Sequence, residues 1–255
     1  TALTDHGTQI EAAFPGTTAR FDWLAGCDGL GSKVRSVILP DAAAAKFTGL
    51  IGTGGVAPMN DIKETHGTMK MVFGHSAFFG WIKPGSGPVH WFNSFAAPGP
   101  DSTPKHLAQH LRQLHARDPA EVRAILAQVQ DPLQSYPIFD MPRLPHWHRG
   151  RVVLLGDAAH AVGPHAGQGA SLAIMDAFAL SQAFASASDP ATAFAQFQAS
   201  SAPFVTKVVG ITARNASNKR QTTAFSRLIR RMMLPLVLPY GLKASRALLA
   251  AAPRY

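Results

Sequence analysis

The chain has 255 residues, of which 46% are hydrophobic and 15% are charged, a composition that excludes an intrinsically disordered protein. Its single cysteine, Cys27, excludes an intramolecular disulfide framework and favours a reducing compartment, so a cytoplasmic location is expected. The net charge is +9, and no run of about 18 uncharged apolar residues predicts a membrane-spanning helix.

The first part of the chain predicts short β-strands. Residues 8–14 and 18–29 are rich in β-forming side chains and flank a turn at Pro15-Gly16. The following region predicts an antiparallel sheet, because its glycine, proline and aromatic content fits strands joined by tight turns. The strands expected in that sheet are residues 69–74, 78–84 and 88–95.

The pattern then changes to helical periodicity. Residues 102–118 predict a helix with Ser102 or Thr103 as its N-cap. Residues 119–129 predict a second helix, which begins at its leading proline.

A later stretch predicts a buried strand, a glycine-containing loop and a buried helix. Residues 151–155 form a continuous apolar run, as expected for a strand buried on both faces of a layered α/β fold. Residues 170–184 are apolar almost all round, which predicts a fully buried helix. Between them lie Asp157 and the sequence Gly167-Gln168-Gly169, in the position where α/β folds bind ligands.

The composition of this loop suits an anionic or carbonyl-rich group. Glycines at the start of a helix allow a ligand to approach the backbone closely. The first N–H groups of a helix are unpaired and carry partial positive charge. Asp157 is a hydrogen-bond acceptor and suits the hydroxyl groups of a polyol. The alternative is a tight strand–helix connection in which Asp157 is only a helix cap.

A second segment of the same kind occurs earlier in the chain, where a predicted strand also ends in an acid and glycines. Its residues at fixed offsets are Asp28, Gly29, Ser32, Val34 and Arg35. Asp-Gly alone is a common turn, but its combination with the later loop is specific. Cys27 precedes this motif and is expected to be a small, inert core residue.

Together the two segments resemble two fingerprints of the FAD-dependent aromatic monooxygenases, the single-component class that resembles para-hydroxybenzoate and salicylate hydroxylases. The segment that begins at Asp28 matches the first fingerprint. The second fingerprint is matched by Gly156-Asp157-Ala158-Ala159-His160, Pro164, Gly167-Gln168-Gly169, Ala173 and Asp176-Ala177. Ser171 stands where the family often has asparagine, at a point where backbone groups make the contact.

The resemblance implies an α/β (α+β) fold, with an incomplete FAD-binding doubly wound domain, an inserted antiparallel-sheet substrate domain and C-terminal helices. The expected boundaries are residues 1–42 and 141–189 for the two parts of the FAD-binding domain, residues 43–140 for the substrate-binding sheet and helices, and residues 190–255 for the C-terminal helical region. Six aromatic side chains of the inserted sheet could line a substrate pocket or form its core: Phe78, Phe79, Trp81, Trp91, Phe92 and Phe95.

The resemblance also implies the residues of an FAD site. Asp157 would accept hydrogen bonds from the ribityl hydroxyls, and the N–H groups at the following helix start would face the pyrimidine edge of the isoalloxazine. Pro164, the one expected catalytic residue, would lie near the flavin carbon that takes up oxygen. Asp28 and Gly29 would contact the dinucleotide, and Arg35 would tie their loop down. The expected cofactor-binding residues are Asp28, Gly29, Arg35, Gly156, Asp157, Pro164, Gly167, Gln168, Gly169 and Ala170.

The implied reaction uses FAD as cofactor and NADH or NADPH as reductant. A flavin hydroperoxide formed with O2 would hydroxylate or epoxidise an aromatic or polyketide-like small molecule, and the protein would exclude water from it. No metal is expected, because His146 and His148 lack a third ligand at a convincing spacing.

The positive charge lies mostly at the C-terminal end, because no acidic residue follows Asp189. Such a region can bind nucleic acid or a membrane surface, but no nucleic-acid motif accompanies it, and a nucleic-acid partner is not expected. Peripheral membrane contact is not favoured either, and residues 226–250 are expected to pack as helices on the flavin domain. Three prolines are expected to interrupt the C-terminal helices: Pro203, Pro235 and Pro239. A homodimer is left open.

The Gly-x-Gly-x-x-Gly motif that binds the ADP part of FAD in this family has no match in the chain. Together with Thr1 as the first residue, the missing motif predicts that the chain is the C-terminal part of such an enzyme. Expressed alone, the chain is expected to be poorly soluble or flavin-free, and inactive as an NAD(P)H oxidase.

Two other interpretations stay open on the sequence. A flavin-dependent halogenase or a related flavin reductase shares the fold, and residues 80–84 faintly resemble the halogenase tryptophan motif. A non-catalytic fragment or binding scaffold is the alternative of a different class, supported by the missing ADP-binding motif.

Overall fold

The computed structural model describes residues 2–59, 61–164 and 167–219. The strands in this part of the chain are β1 (Ala2–Asp5), β2 (Ile10–Phe14), β3 (Thr17–Phe21), β4 (Leu24–Gly26), β5 (Lys46–Ala57), β6 (Lys70–Phe73), β7 (Ala77–Ile82), β8 (Val89–Ala96), β9 (Ser135–Asp140), β10 (His148–Arg149) and β11 (Val152–Leu154). The helices are α1 (Lys33–Ile38), α2 (Leu107–Leu114), α3 (Ala120–Ala127), α4 (Asp157–His160), α5 (Gly169–Ser186) and α6 (Pro190–Lys219).

The chain forms two compact units. Within the described residues, the first unit consists of residues 2–46 and 139–215, and the second unit consists of residues 47–138 and 216–219. Residues 47–138 are therefore an insertion between the two parts of the first unit, where the sequence predicts an insertion of residues 43–140. Residues 190–215, which the sequence analysis assigns to a separate C-terminal region, belong to the first unit.

A short pair of parallel strands forms the centre of the first unit. Strand β11 lies between β10 and β4, antiparallel to β10 and parallel to β4. Val152, Val153 and Leu154 are each at most 1% exposed, because apolar residues on both faces of a strand allow it to be covered on both sides. The predicted buried strand is thus confirmed. Strands β1, β2 and β3 form a separate antiparallel sheet in the same unit.

Helix α6 contributes much of the core of the first unit. Phe194 and Phe197 are fully buried in the hydrophobic cluster that contains β11. The helix runs without a break through Pro203, so the prediction that Pro203 interrupts it is wrong. Proline removes one N–H group from the helix, and burial of the neighbouring Phe204 and Val205 in the same cluster holds the helix in place despite that loss.

Helix α5 is buried on one side only. Leu172 and Leu180 lie in the core cluster, whereas Ile174 and Phe178, one turn apart on another face, are 60% and 58% exposed. The prediction of a fully buried helix is therefore wrong. A helix that is apolar all round has no preferred inner face in its sequence, and its packing partners decide which side is covered.

The second unit is a five-stranded sheet in the order β6-β7-β8-β5-β9, with α2 and α3 packed on one face. Successive side chains of a strand point to opposite faces. This alternation divides the six aromatic residues expected in a pocket or core between the two faces of the sheet. Phe78 and Phe92 lie on the face opposite the helices, with ring centroids 5.8 Å apart. The other four pack in the core with the helices: Phe79, Trp81, Trp91 and Phe95.

No side chain of the residues just before helix α2 caps its first turn. Its N-cap position is His106, which makes no capping hydrogen bond, so the prediction of Ser102 or Thr103 as the cap is wrong. Instead, Oδ1 of Asp131 accepts the N–H of Ala108 at 3.0 Å. A side chain from beyond α3 therefore satisfies one of the free N–H groups at this helix start.

None of the helices in the described residues is both long enough and apolar enough to cross a membrane. The predicted packing of residues 226–250 and the predicted interruptions at Pro235 and Pro239 concern a segment outside the described residues.

We expect the two faces of α5 to respond differently to truncation. Leu172→Ala removes a side chain that is 2% exposed, which lowers the free energy of unfolding by about 2–5 kcal/mol. Ile174→Ala removes an exposed side chain and changes the free energy of unfolding by no more than about 0.5 kcal/mol. Urea unfolding followed by circular dichroism measures both values. An equal loss of stability in the two variants would contradict the exposed position of Ile174.

Candidate functional site

The carboxyl ends of β4 and β11 lie side by side. Leu154 pairs in register with Gly26, and the N–H of Leu155 donates to the carbonyl oxygen of Gly26 at 3.0 Å. Because the strands are parallel, the loops that follow them leave the sheet at the same edge. The strand pairing therefore brings together the loops of Asp28 and Asp157.

The side chain of Asp28 binds the start of α1. Its Oδ2 accepts the N–H groups of Lys33 at 2.7 Å and Val34 at 3.1 Å, and its Oδ1 accepts the hydroxyl of Ser32 at 2.5 Å. Ser32 is the N-cap of α1, and its Oγ accepts the N–H of Arg35 at 2.8 Å. Burial opposes ionisation of Asp28, but these hydrogen bonds outweigh burial and lower the pKa of its carboxyl. Most of its acceptor capacity is used within its own loop.

Arg35 connects the two loops. Its Nη1 donates to the carbonyl oxygen of Ala158 at 2.9 Å, and its Nη2 donates to the carbonyl oxygen of Leu30. Ala158 directly follows Asp157, whereas Leu30 directly follows Gly29, which turns the chain with a φ of +77°. One buried guanidinium thus holds both loops through their backbones.

Gly156, two residues after the end of β11, has an unusual backbone conformation. Gly156 has φ +56° and ψ −135°, a conformation that is open essentially to glycine alone. Its N–H donates to Oδ2 of Asp176 on α5 at 2.7 Å, and Nε2 of His160 lies 2.7 Å from the same oxygen. The short helix α4 is therefore tied to α5 at both ends.

The carboxylate of Asp157 has no partner in the part of the chain that the structure describes. Asp157 is the first residue of α4 and is exposed. Its side chain forms no hydrogen bond or ion pair with the residues that the structure describes. A Cβ added to Gly169 would lie 3.9 Å from Oδ1 of Asp157. The carboxylate therefore lies beside the first residue of α5.

Helix α5 begins with N–H groups that have no partner within the helix. The N-cap residue Gln168 makes no side-chain capping bond, and the N–H of Leu172 is bonded to the carbonyl oxygen of Gln168 at 2.9 Å. The N–H groups of Gly169, Ala170 and Ser171 precede that bond and have no intrahelical acceptor. They suit a ligand that presents carbonyl oxygens or negative charge.

Pro164 and Gly167 form the turn before α5. The N–H of Gly167 donates to the carbonyl oxygen of Pro164 at 3.1 Å, and Gly167 has a φ of +63°. Pro164 is exposed, and the two residues between them lie outside the described residues. All the residues that the sequence predicts for the site lie in these two loops or at the helix starts that follow them.

A comparison with known families shows which family the chain belongs to. The FAD binding domain family matches residues 3–212, which span most of the chain and include both loops. The chain belongs to this family. The prediction of an FAD-binding fold from the two loop motifs is therefore confirmed.

Relatives of this FAD-binding chain include FAD-dependent monooxygenases. The chain is 32% identical over 190 residues to the FAD-dependent monooxygenase eupB of Phoma sp, covering 65% of the chain and 41% of that protein. It is 30% identical over 183 residues to the Aurachin C monooxygenase/isomerase of Stigmatella aurantiaca, covering 70% of the chain and 46% of that protein. The chain thus spans less than half the length of these relatives.

Solved structures share the fold of this FAD-binding chain. Klebsiella pneumoniae HpxO, complexed with FAD and uric acid, superposes with a TM-score of 0.84 at 20% identity, covering 99% of this chain and 66% of that chain. A salicylate hydroxylase substrate complex superposes with a TM-score of 0.72 at 19% identity, covering 99% and 70%. At such identities the likeness establishes the fold, and the predicted α/β (α+β) fold class is confirmed.

The donor and acceptor groups of the site fit the ring and ribityl parts of a flavin. The free carboxylate of Asp157 can accept hydrogen bonds from hydroxyl groups, and the start of α5 offers N–H groups to the carbonyl oxygens of the ring. The protein itself leaves space at Gly169, because the nearest atom to a Cβ there would be Cγ2 of Val162 at 3.7 Å.

One feature of the site contradicts a prediction from the sequence, and another was not predicted. The first is Cys27, which is exposed, so its prediction as a core residue is wrong: β4 ends at Gly26 and leaves Cys27 in the loop. The second is the contact between His160 and Asp176. Both residues belong to the fingerprint, but their spacing in the sequence gives no signal that they are bonded.

We expect Gly156 and Gly169 to tolerate alanine to different degrees. Gly156→Ala places a Cβ at a positive φ and 3.0 Å from the Cβ of Ala173, which lowers the free energy of unfolding by about 1–3 kcal/mol. Gly169→Ala meets only ordinary contacts and changes it by less than about 0.5 kcal/mol. Thermal and urea unfolding of both variants measure the difference. Similar stability of the two variants would show that Gly156 does not need its left-handed backbone.

Proposed function

We propose that the chain is the flavin-binding and substrate-binding part of an FAD-dependent monooxygenase. The reaction consumes NADH or NADPH and O2, and it hydroxylates or epoxidises an aromatic or polyketide-like small molecule. The observation that carries the proposal is the carboxylate of Asp157, which has no partner among the described residues and lies beside the open start of α5. Membership of the FAD binding domain family supports it, as does similarity to a monooxygenase and to a zeaxanthin epoxidase.

The loop before α5 supplies the main contacts to the flavin. Asp157 accepts hydrogen bonds from the ribityl hydroxyls, and the N–H groups of Gly169 and Ala170 bind the carbonyl oxygens of the pyrimidine ring. Gly167 and Gln168 form the backbone over which this ring approaches. Pro164 would be placed near the carbon of the ring that takes up oxygen.

The Asp28 loop contributes to FAD binding through its backbone shape and through the hydrogen-bond acceptors that its own contacts leave available. Oδ2 of Asp28 already accepts two N–H groups of α1. The groups that contact the dinucleotide are therefore Oδ1, which can accept a further hydrogen bond, and the backbone at Gly29. Arg35 holds this loop against the second one. Gly156 directs the chain so that Asp157 points out of the fold.

The protein environment assists the redox chemistry that the flavin supplies when bound. Partial positive charge at the start of α5 would stabilise negative charge on a pyrimidine ring bound there, because the first N–H groups of the helix have no intrahelical acceptor. The half-buried side chain of Val162 lies beside Gly169 and keeps water away from that side.

The open face of the second unit, defined as the sheet face opposite α2 and α3, offers an apolar surface to a substrate. Its exposed side chains include Val56, Met71, Phe73 and Tyr136. Glycine at position 52 leaves space for the ring of Tyr136, since a Cβ there would lie 2.5 Å from that ring. A flat aromatic or polyketide-like molecule fits such a surface better than a charged one.

Removal of the Asp157 carboxylate should weaken FAD binding in the full protein. Asp157→Ala loses a charged acceptor of hydroxyl groups, worth about 1.5–3 kcal/mol of binding free energy, roughly a tenfold to hundredfold rise in Kd. Equilibrium titration by flavin fluorescence measures the change. Asp101→Ala, at an exposed carboxylate of the second unit, is the control and should leave the Kd unchanged. Unaltered FAD affinity in Asp157→Ala would refute the assigned role.

The reaction itself is tested by NADPH or NADH oxidation and O2 uptake in the flavin-loaded protein. Aromatic and polyketide-like compounds should stimulate both rates without halide, and mass spectrometry should show one added oxygen atom in the product. Gly169→Val fills the space where the ring approaches and should slow flavin reduction by roughly tenfold to hundredfold. A halide requirement with a halogenated product would refute the monooxygenase. Normal reduction and yield in Gly169→Val would refute only the placement of the ring.

A further inference from the structure

The buried carboxylate of Asp176 binds two groups of the loop that precedes its own helix. Its Oδ2 accepts the N–H of Gly156 at 2.7 Å and lies 2.7 Å from Nε2 of His160. Since a carboxylate only accepts hydrogen bonds, Nε2 of His160 carries the hydrogen. One oxygen atom thus holds the backbone immediately before Asp157 and the last residue of α4.

We propose that Asp176 is a positioning residue of the flavin site, which fixes the Asp157 carboxylate relative to the start of α5. The inference rests on the proposed function, because it concerns the affinity of the same site for flavin. Asp176 lies in the core, with only 2% of its side chain exposed. Its effect on the ligand is therefore indirect and passes through Asp157 and the backbone of α4.

The backbone of Asp157 has little conformational freedom because both ends of α4 are held. The bond from Gly156 to Asp176 precedes it, and the bond from His160 to Asp176 closes the turn that it begins. Arg35 adds a third attachment through the carbonyl oxygen of Ala158. A carboxylate held in this way loses little further freedom when a hydroxyl group binds, which favours affinity.

The imidazole ring of His160 is held on its other side as well. Its centroid lies 4.8 Å from that of the Trp147 ring. The backbone N–H of Trp147 donates to Oε1 of Gln198 on α6 at 2.8 Å. The contact between His160 and Asp176 is therefore part of the core and unlike a surface ion pair. Removing one member leaves the other buried without its partner, which is costly.

The second unit contains a matched pair of side chains that has no link to the loop. Nδ1 of His115 lies 2.6 Å from Oδ2 of Asp118, and each side chain is at most 5% exposed. Oδ1 of Asp118 also accepts the N–H of His75 at 3.1 Å. Asp118 thus shares the chemistry of Asp176, as a buried carboxylate bound to a histidine and to a backbone N–H. It is the control for a purely structural role.

Cys27 reports on the charge of Asp176 without any flavin. It is the only cysteine of the chain and is exposed. Burial raises the pKa of its thiol, and the negative charges of Asp28 and Asp176 raise it further. Removing the charge of Asp176 should therefore lower the pKa of Cys27, which the pH dependence of its alkylation rate measures.

The experiment compares Asp176→Ala, Asp176→Asn and Asp118→Ala in the full protein. Both alanine variants should lose stability, but only Asp176→Ala should weaken FAD binding, by roughly tenfold or more. Asp118→Ala should leave the FAD Kd within about twofold of the wild-type value. Asp176→Asn keeps an oxygen that can accept both hydrogen bonds, so it should recover most of the FAD affinity. The pKa of Cys27 should fall in both Asp176 variants and stay unchanged in Asp118→Ala.

Equal changes of FAD affinity in Asp176→Ala and Asp118→Ala would overturn the positioning role, and so would an Asp176→Asn variant that folds but binds FAD as weakly as Asp176→Ala. If Asp176→Ala does not fold, His160→Ala removes one of the two bonds to Asp176 and replaces it in the experiment, with His115→Ala as its control. Equal changes of FAD affinity in these two variants would likewise overturn the positioning role. Failure of the wild-type protein to bind FAD would refute the proposed function. Wild-type binding with unaltered affinity in Asp176→Ala would refute only the positioning role.

Discussion

The parallel pairing of β4 with β11 is the constraint on which the candidate site depends. It joins two loops that are far apart in the sequence at one sheet edge, and the register of Leu154 with Gly26 sets where each loop begins. Gly26 is itself part of this constraint, because a Cβ there would lie 2.7 Å from Val34 and 2.9 Å from Leu154. The missing side chain lets α1 pack closely on the strand pair. From that position Arg35 reaches the backbone of the second loop.

The charged groups around these loops differ in whether the protein already satisfies their hydrogen bonds. Asp28, Arg35 and Asp176 direct theirs mainly to backbone groups of the loops and helix starts. Breaking the bonds of Arg35 or Asp176, which are both buried, leaves buried polar groups unsatisfied, so these two residues preserve geometry. Asp157 is exposed and has no protein partner in the described part of the chain. In the described part of the two loops, Asp157 and the open start of α5 are therefore the groups whose hydrogen-bonding capacity the protein leaves available.

In the second unit, side chains alternate along each strand between the core, on the side of α2 and α3, and the open face. Phe79 and Trp91 stack with an interplanar angle of 4° on the helix side, where any change of volume disturbs the core. Phe73 and Phe78 meet on the other side, with centroids 5.1 Å apart. Side chains of the open face can change with a smaller effect on stability.

The sequence by itself determined the features that are contiguous in the chain. These are the buried strand β11, the antiparallel strands of the second unit and the two loop motifs with Asp157, because apolar runs, alternation and glycine spacing are local signals. The tertiary structure decided the pairings between distant residues: Arg35 with the Ala158 carbonyl, Asp131 at the start of α2, and the exposure of Ile174. An apolar or hydrogen-bonding side chain does not encode which distant surface it meets. That choice is made only when the whole chain packs and its buried polar groups find partners.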